Sequence, residues 1–372
     1  RDTCNKRYGR DSSQQKHISL EHLNNINSIE YLSEQHYNLK KPLCKIAEEN
    51  GVSDTAIKNR FYMNNMDVKY FNSSQPEQDL FDYIRSLDPN LEIIRNDREQ
   101  IKPLELDIYI PSKRVAIEYN GLYYHSYDKP ETSEERRKHQ NKCQICDNNS
   151  IQLIQIFESE WIQKQDIVKS MLRSKLGYIN RIYARNCIIK EVSQDDSKRF
   201  LEKYHIQSQA PAQIRLGLFY QDELIAVQTF KKGYYSKKFE WELSRFACKA
   251  NIQIVGGASK LFNYFIQKYD PKSIITFSDR RYSIGNLYKT IGFEFFCKTD
   301  PNYYYFIPGV DRLFHRALFQ KHLLPRKLAN FDINQTEHDN MFNNGYRRIW
   351  DAGNIKWVWY KKTDYEVVEV EE

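Results

Sequence analysis

Asp107, Glu118 and His125 are the residues whose types and spacing could do chemistry, and all three fall within 103–126 of the sequence. Two carboxylates at fixed positions offer a hard cation such as Mg²⁺ (or Mn²⁺) the oxygen ligands it prefers, with room left for water and phosphate. A cation so held lowers the pKa of bound water and stabilises developing charge at phosphorus. A histidine moves a proton near neutral pH. The elements that must position them show a period of two. Leu104, Leu106, Ile108 and Ile110 alternate with Glu105, Asp107 and Tyr109. After Pro111-Ser112-Lys113, Val115 and Ile117 alternate with Ala116 and Glu118. The pattern predicts a β-hairpin that brings Asp107 and Glu118 close across the ladder. Gly121 relaxes the backbone ahead of His125. Acids on strands also belong to solvated faces, and alternation alone does not separate the two readings.

The whole string narrows them. Glu105-Leu106-Asp107, then Ile117-Glu118-Tyr119-Asn120-Gly121-Leu122-Tyr123-Tyr124-His125, resembles the active-site hairpin of the PD-(D/E)XK nucleases. It is most similar to the branch that holds the Vsr mismatch endonuclease and related phage homing endonucleases. The resemblance covers about 75–177. It implies a catalytic set of Glu77, Asp107, Glu118 and His125, with Asp107 and Glu118 as metal ligands. One position departs from the family pattern: the slot two residues after the acid, usually Lys, is Asn120. That makes His125 the expected proton carrier. Glu77 matches a Glu on the family's leading helix, although an acid in a first turn also favours the helix dipole. The implied activity is site-specific, metal-dependent hydrolysis of phosphodiester bonds in double-stranded DNA by an endonuclease of the phage homing type. A homodimer would cut both strands.

Composition bounds these readings. The chain has 372 residues, 40% hydrophobic and 14% aromatic, with 27 Tyr. That supports packed cores in two or three domains. No apolar run is long enough for a membrane span and no signal peptide is evident, so no membrane partner is expected. A soluble cytoplasmic location follows, the bacterial host cytoplasm if the chain is phage-encoded. It opens at Arg1 rather than Met, as a piece of a longer protein would. The net charge of +7 permits nucleic-acid binding without requiring it. Seven scattered Cys fit reduced thiols. Cys143 and Cys146 are the close pair. Zinc would need further ligands such as Cys4 and His139, and the alternative is packing against the following strand.

The fold class expected is α/β and multidomain: an N-terminal helix-turn-helix, a PD-(D/E)XK α/β nuclease core and a C-terminal GNAT-like α+β domain. Residues 1–27 read as a polar arm. Residues 28–70 hold the helix-turn-helix, with a turn at Gly51 and a helix capped by Ser53. That helix is expected to expose Asp54, Thr55, Lys58, Asn59 and Arg60; Lys58, Asn59 and Arg60 are the candidate DNA contacts. Residues 71–178 form the nuclease-like domain: a helix from Pro76, a strand Leu91–Ile94, the hairpin, a basic helix Glu134–Asp147, a buried strand Ile151–Phe157 and a helix Trp161–Leu176. The basic helix suits a DNA backbone or a solvated face. Glu158 either orients groups at the hairpin or caps the last helix.

Residues 179–362 differ in pattern. Gln253-Ile-Val-Gly256-Gly257-Ala258 after a strand is similar to the pyrophosphate loop of the GNAT acetyltransferases, and Asn286-Leu-Tyr288 to a later helix of that family. The resemblance implies that Gln253, Gly256, Gly257 and Ala258 would bind acetyl-CoA if the loop is functional. Glycines ahead of a helix let backbone amides approach a phosphate. Glu240 and Glu242 are the candidate bases, with strand alternation as their other explanation. Lys231, Lys232, Lys237, Lys238, Arg280 and Arg281 supply positive charge for DNA instead. The alternative functions are therefore an acetyltransferase with an inactive nuclease domain, or a non-enzymatic DNA-binding protein. Residues 363–372 read as an acidic tail.

Overall fold

The structure is a computed structural model that describes residues 19–39, 41, 43–66, 75–122, 132–233, 238–308, 310 and 312–362. His125, the first part of the polar arm, Lys237 and the acidic tail lie outside the described residues. The chain divides into two compact units, Arg1–Asp79 and Leu80–Glu372.

The first unit is helical: α1 (Leu20–Asn27), α2 (Ile29–Ser33) continued by a π turn, α3 (Leu43–Glu49) and α4 (Asp54–Met63). Ile26, Leu32, Ile46, Ala47, Ile57 and Phe61 form its core. Gly51 takes φ +65° in the turn between α3 and α4. Ser53 Oγ accepts the Ala56 N–H at 3.3 Å, capping α4 as its position predicts.

Helix α5 (Gln75–Leu87) runs across the division at Leu80, and the second unit carries two main sheets. The smaller has the order β1 (Ile94–Asp97), β2 (Leu106–Ile110), β3 (Val115–Asn120), β4 (Gln152–Phe157). β2 and β3 form the expected hairpin, with Ile108 opposite Ile117, and β4 runs parallel to β3. β1 lies about three residues later than its apolar pattern suggests, because Ile94, Arg95 and Asp97 pair with β2. Between β3 and β4 runs α6 (Ser133–Asn148). After β4 the expected single helix is two, α7 (Glu158–Gln163) and α8 (Gln165–Leu176). The break is at Lys164, whose φ −128° and ψ 33° leave the helical basin.

The larger sheet has seven strands. In spatial order they are β12 (Glu294–Lys298), β16 (Asn354–Tyr360), β11 (Ser273–Asp279), β9 (Trp241–Cys248), β8 (Glu223–Lys232), β7 (Ile214–Tyr220) and β6 (Ile188–Glu191). α9 (Gln194–Tyr204) covers one face through Phe200 and Leu201 against Val227 and Ala247. α10 (Gly257–Tyr269) covers the other through Leu261, Phe262 and Phe265. A short parallel pair joins β5 (Asn180–Tyr183) to β10 (Ile252–Val255), just before α10. α11 (Asn286–Thr290) precedes β12; β13 (Tyr303–Phe306), β14 (Phe314–His315) and β15 (Arg347–Trp350) make a third small sheet, with α12 (Glu337–Asn343) before β15.

The sheets are joined by buried polar contacts. The Gln155 N–H donates to Arg281 O at 2.8 Å. The Arg281 side chain, 2% exposed, pairs with Glu160 at 3.0 Å and Asp279 at 2.9 Å. Arg280 pairs with Asp147 at 3.3 Å. Among the described residues no helix is long and apolar enough to cross a membrane.

Candidate functional site

Two places in the second unit concentrate polar chemistry. At the first, the hairpin sets Asp107 beside Glu118. The Asp107 N–H donates to Glu118 Oε1 at 3.1 Å, and the Tyr119 N–H donates to Asp107 Oδ2 at 2.9 Å. Both strands are central in their sheet, so the solvated-face reading fails: Glu118 is 6% exposed. Lys142 from α6 pairs with Glu118 Oε2. Burial, reinforced by the Asp107 charge, pushes the Glu118 carboxyl up from 4.5 to about 7 despite Lys142. Burial also raises Asp107.

Lys142 is the member of this cluster that sequence reasoning missed. A run of cations on α6 reads as a solvated or DNA-facing surface. His139, Cys143 and Cys146 are nevertheless buried at helical spacing, and Lys142 lies on that inward face. The Cys143 and Cys146 thiols, both pushed up to about 12 chiefly by burial, pack with Leu106, Ile151 and Leu153; Cys4 lies outside the described residues. Among the described residues no group of three or more His, Cys, Asp or Glu could hold a metal ion. Glu158 accepts the Leu122 N–H at 2.7 Å, and Glu160 caps α7 at Phe157 N–H. Glu77 stands in the first turn of α5, within the first unit, where it complements the helix dipole. In that same unit Asn59 is exposed and Lys58 half-buried. Arg60 is not the free base reader expected: it donates to Asn27 Oδ1 at 3.0 Å and to Ala56 O at 3.1 Å.

The second place is a wedge in the larger sheet. β9 pairs with β11 in parallel only at Trp241–Ile274 and Glu242–Ile275. Its other edge carries a bulge: Thr229 faces Arg245 and Phe230 faces Leu243, so Ser244 is the extra residue. Past the bulge the strands diverge. A cavity of about 1200 Å³ opens there, lined by Glu242, Ser244, Arg245, Tyr288 and the Gln253–Ala258 loop among others. Ser244 Oγ is buried in this wall with no partner among the described residues. Gly256 takes φ +75° at the N-terminus of α10, where a side chain would be strained. Gly257 is required by packing, since a Cβ would sit 2.9 Å from Ile254 Cγ2.

The candidate bases separate here. Glu242 lines the cavity and pairs with Lys231 at 3.0 Å. Glu240 instead accepts the Lys272 N–H at 2.8 Å and pairs with Lys232 at 3.3 Å. Burial raises the Tyr288 phenol and the Cys248 thiol, the latter to about 12, so both stay protonated. His205, also on the wall, is pushed down to about 3 by burial and the cations of Arg245 and Lys164. It is neutral and a weak base. Of the set expected to face DNA, Lys231, Arg280 and Arg281 pair with internal carboxylates, while Lys232 is exposed and pairs with Glu240.

No protein-family model matches the chain, and no curated protein matches it. Among solved structures, it is similar to a GNAT-family acetyltransferase from Bacillus cereus, at 12% identity over 48% of this chain and 99% of that one, with a TM-score of 0.26. It is similar to a GNAT-family acetyltransferase from Elizabethkingia anophelis with acetyl-CoA bound, at 14% identity over 47% of this chain and 99% of that one, TM-score 0.27. It is also similar to a Bacillus subtilis acetyltransferase in complex with CoA, at 14% identity, 47% and 99% coverage and TM-score 0.26. These proteins are transferases. The expectation of a metal-dependent DNA endonuclease, a phosphodiester hydrolase with Mg²⁺ on Asp107 and Glu118, is corrected accordingly: the matched structures are acetyltransferases, and an internal ammonium, Lys142, pairs with Glu118 of the carboxylate pair.

Proposed function

We propose that the chain binds an acyl-coenzyme A in the wedge between β9 and β11 and transfers its acyl group to an amine. The observation that carries this reading is the bulge at Ser244 with the strand divergence beyond it. A sheet ordinarily closes such a gap by pairing; here backbone groups of β9 face a cavity, and Ser244 Oγ adds an unpartnered polar atom. Small-ligand pockets hold roughly 300–1,000 Å³, so this one suits a long, extended ligand. Gln253, Gly256, Gly257 and Ala258 lead into α10, whose amide end favours a diphosphate. When bound, the thioester supplies an activated acyl carbon. Glu242 is the cavity carboxylate placed to take the proton of an attacking amine. Tyr288, held neutral by burial, is the acid placed to protonate the departing thiolate. His205 is too weak a base for either task near neutral pH.

The test is calorimetric titration of the full chain with acetyl-CoA, followed by thiol release with a panel of amines. Binding near equimolar ratio, with thiol release lost in Tyr288→Phe, is the expected result. No heat and no thermal stabilisation at about 1 mM acetyl-CoA, where even a weak complex would register, would overturn the reading.

A second reading concerns the first unit. We propose that α4 contacts double-stranded DNA through Lys58 and Asn59, on the strength of the tight turn at Gly51 and the exposure of Asn59. Fluorescence anisotropy with a labelled duplex should show affinity that falls with salt and weakens in Lys58→Ala. Salt-independent or absent binding would exclude it.

A further inference from the structure

The same wedge holds half-buried positive charge that is not ion-paired among the described residues. Arg245, on β9 next to the bulge, donates Nε to Ser208 O at 3.2 Å and Nη1 to Ser244 O at 2.8 Å. Both acceptors are neutral carbonyls. Lys164, at the α7–α8 break, donates to Ile206 O and, at 3.0 Å, to Ser208 Oγ. Those acceptors are neutral too. The segment His205–Ser208 thus lies between a guanidinium and an ammonium, and neither is ion-paired among the described residues.

The carboxylates nearby are engaged elsewhere. Glu242, the acid that acts on Arg245, is paired with Lys231. Glu160, the acid that acts on Lys164, is held by Arg281 and the Tyr282 hydroxyl. Asp279 is held by Arg281 and accepts from Gln207 Nε2 at 3.3 Å. His205 adds a donor. Its Nδ1 accepts the Gln207 N–H at 3.1 Å, which puts the ring proton on Nε2. Arg245, His205 and Gln207 all line the cavity, as does Ser244. Burial weakens both cations' hold on their protons, and Arg245 stays charged regardless. A cation drawn partly out of water without a counter-charge is costly, and a fold that sets Arg245 and Lys164 on either side of one segment leaves a place for an anion.

We infer that the Arg245 end of the cavity is an anion-binding subsite, and that the amine acceptor seated there carries a carboxylate or phosphate group. The second half of this statement rests on the acyl-transfer reading; the subsite itself does not. Arg245 Nη2, the His205 Nε2–H and the Ser244 hydroxyl are the donors that would meet the anion. Lys164 contributes charge from behind the His205–Ser208 segment.

The experiment uses the full chain and two probes, succinate and inorganic phosphate, titrated against sodium chloride of equal ionic strength. Thermal unfolding and calorimetry are read for the natural chain and for Arg245→Gln, Arg245→Lys and Lys164→Gln. One probe or both should stabilise the natural chain beyond chloride, and whichever binds names the acceptor's anionic group. Affinity should fall at least about tenfold in Arg245→Gln, less in Arg245→Lys, and measurably in Lys164→Gln. Lys164→Gln and Arg245→Lys keep the test decisive should Arg245→Gln fold poorly. An equal response in the natural chain and the Arg245 variants would overturn the proposal, leaving the two cations as clamps on the 205–208 segment. Competition between succinate or phosphate and acetyl-CoA would overturn it as an acceptor subsite, since Arg245 would then be a cofactor contact. An Arg245-dependent anion response in a chain that ignores acetyl-CoA would uphold the subsite and remove the acyl-transfer reading alone.

Discussion

The two sheets of the second unit bury charge in opposite ways. In the four-stranded sheet, Asp107 and Glu118 are enclosed with a cation, Lys142, and with the backbone amides of Asp107 and Tyr119. At the seven-stranded sheet, the half-buried Arg245 and, behind it, Lys164 meet carbonyl and hydroxyl oxygens only, among the described residues. A buried charge met by its opposite inside the chain is complete without a ligand. A buried charge met only by dipoles is incomplete. The carboxylate pair, which dominates the sequence, therefore belongs to the closed kind. The wedge, which hardly stands out in the sequence, belongs to the open kind.

The strongest way to break this contrast is to remove the internal cation. Lys142→Met leaves the two carboxylates buried together without their counter-charge. Breaking a buried pair from one side costs about 3–5 kcal/mol, and that loss is expected here above pH 8. The sign follows from protonation. Glu118 is raised from 4.5 to about 7, so the native state holds protons more tightly than the unfolded state in that window. Stability from this group is fully present below about pH 4.5 and is lost as pH rises through about 7. In Lys142→Met the carboxyls should rise further, so its deficit should shrink toward zero below pH 5. Urea unfolding of both proteins from pH 4.5 to 8.5 checks this. A deficit independent of pH would mean that Lys142 acts through packing alone.

The next effect separates Glu242, on β9, from Glu240, just ahead of it. Glu242→Gln should lower amine acylation by roughly 10²-fold, about 3 kcal/mol of barrier. Glu240→Gln should leave it unchanged, because Glu240 faces Lys232 and the Lys272 amide and not the cavity. Steady-state rates of both variants with saturating acetyl-CoA decide it. Equal losses would remove Glu242 as the base.

How much of this was legible is itself uneven across the two sheets. The hairpin could be read because alternation and a Pro-Ser turn fix its register together. The order of elements around it followed from caps and apolar periodicity. Lys142 could not be read as a partner of Glu118, because a sequence does not say how a basic helix is rotated; the spacing of His139, Cys143 and Cys146 was the available signal. The wedge left a faint trace. Large apolar residues of β9 stand at Trp241, Leu243 and Phe246, so the period of two slips by one at Ser244, where the bulge lies. A one-residue slip reads as noise until the neighbouring strand is known. Arg245 could not be found at all, since its unpaired state depends on which acids Arg281 and Lys231 take.

A smaller effect tests the glycine beside the wedge. An alanine Cβ at Gly257 would lie 2.9 Å from Ile254 Cγ2 and 3.2 Å from Leu218 Cδ1. Gly257→Ala should cost about 1–3 kcal/mol by overpacking. Ile254→Leu in the same chain should recover part of it, because leucine lacks the Cγ2 methyl that the new Cβ meets. Thermal unfolding of the single and double variants reads this; no recovery would move the cause to the backbone of α10.

The smallest effect is a matched pair of buried amides, one in each sheet. Gln155 and Gln228 are both 0% exposed. Gln155 Nε2 donates to His139 O at 2.9 Å and to Cys143 Sγ at 3.0 Å, tying β4 to α6, while its Oε1 has no partner among the described residues. Gln228 has no partner among the described residues for either amide atom. Methionine has nearly the same length and no amide to satisfy, so the same substitution should act with opposite signs. Gln155→Met removes the two hydrogen bonds that tie β4 to α6, a loss of about 1 kcal/mol. Gln228→Met removes two unsatisfied atoms and should gain about 1 kcal/mol. Chemical denaturation of both variants tests the difference of about 2 kcal/mol, with the m-value checked for constancy. A loss at Gln228 equal to that at Gln155 would show that the amide of the open sheet is satisfied by bound water. The open sheet would then be completed by solvent and the closed one by its own chain.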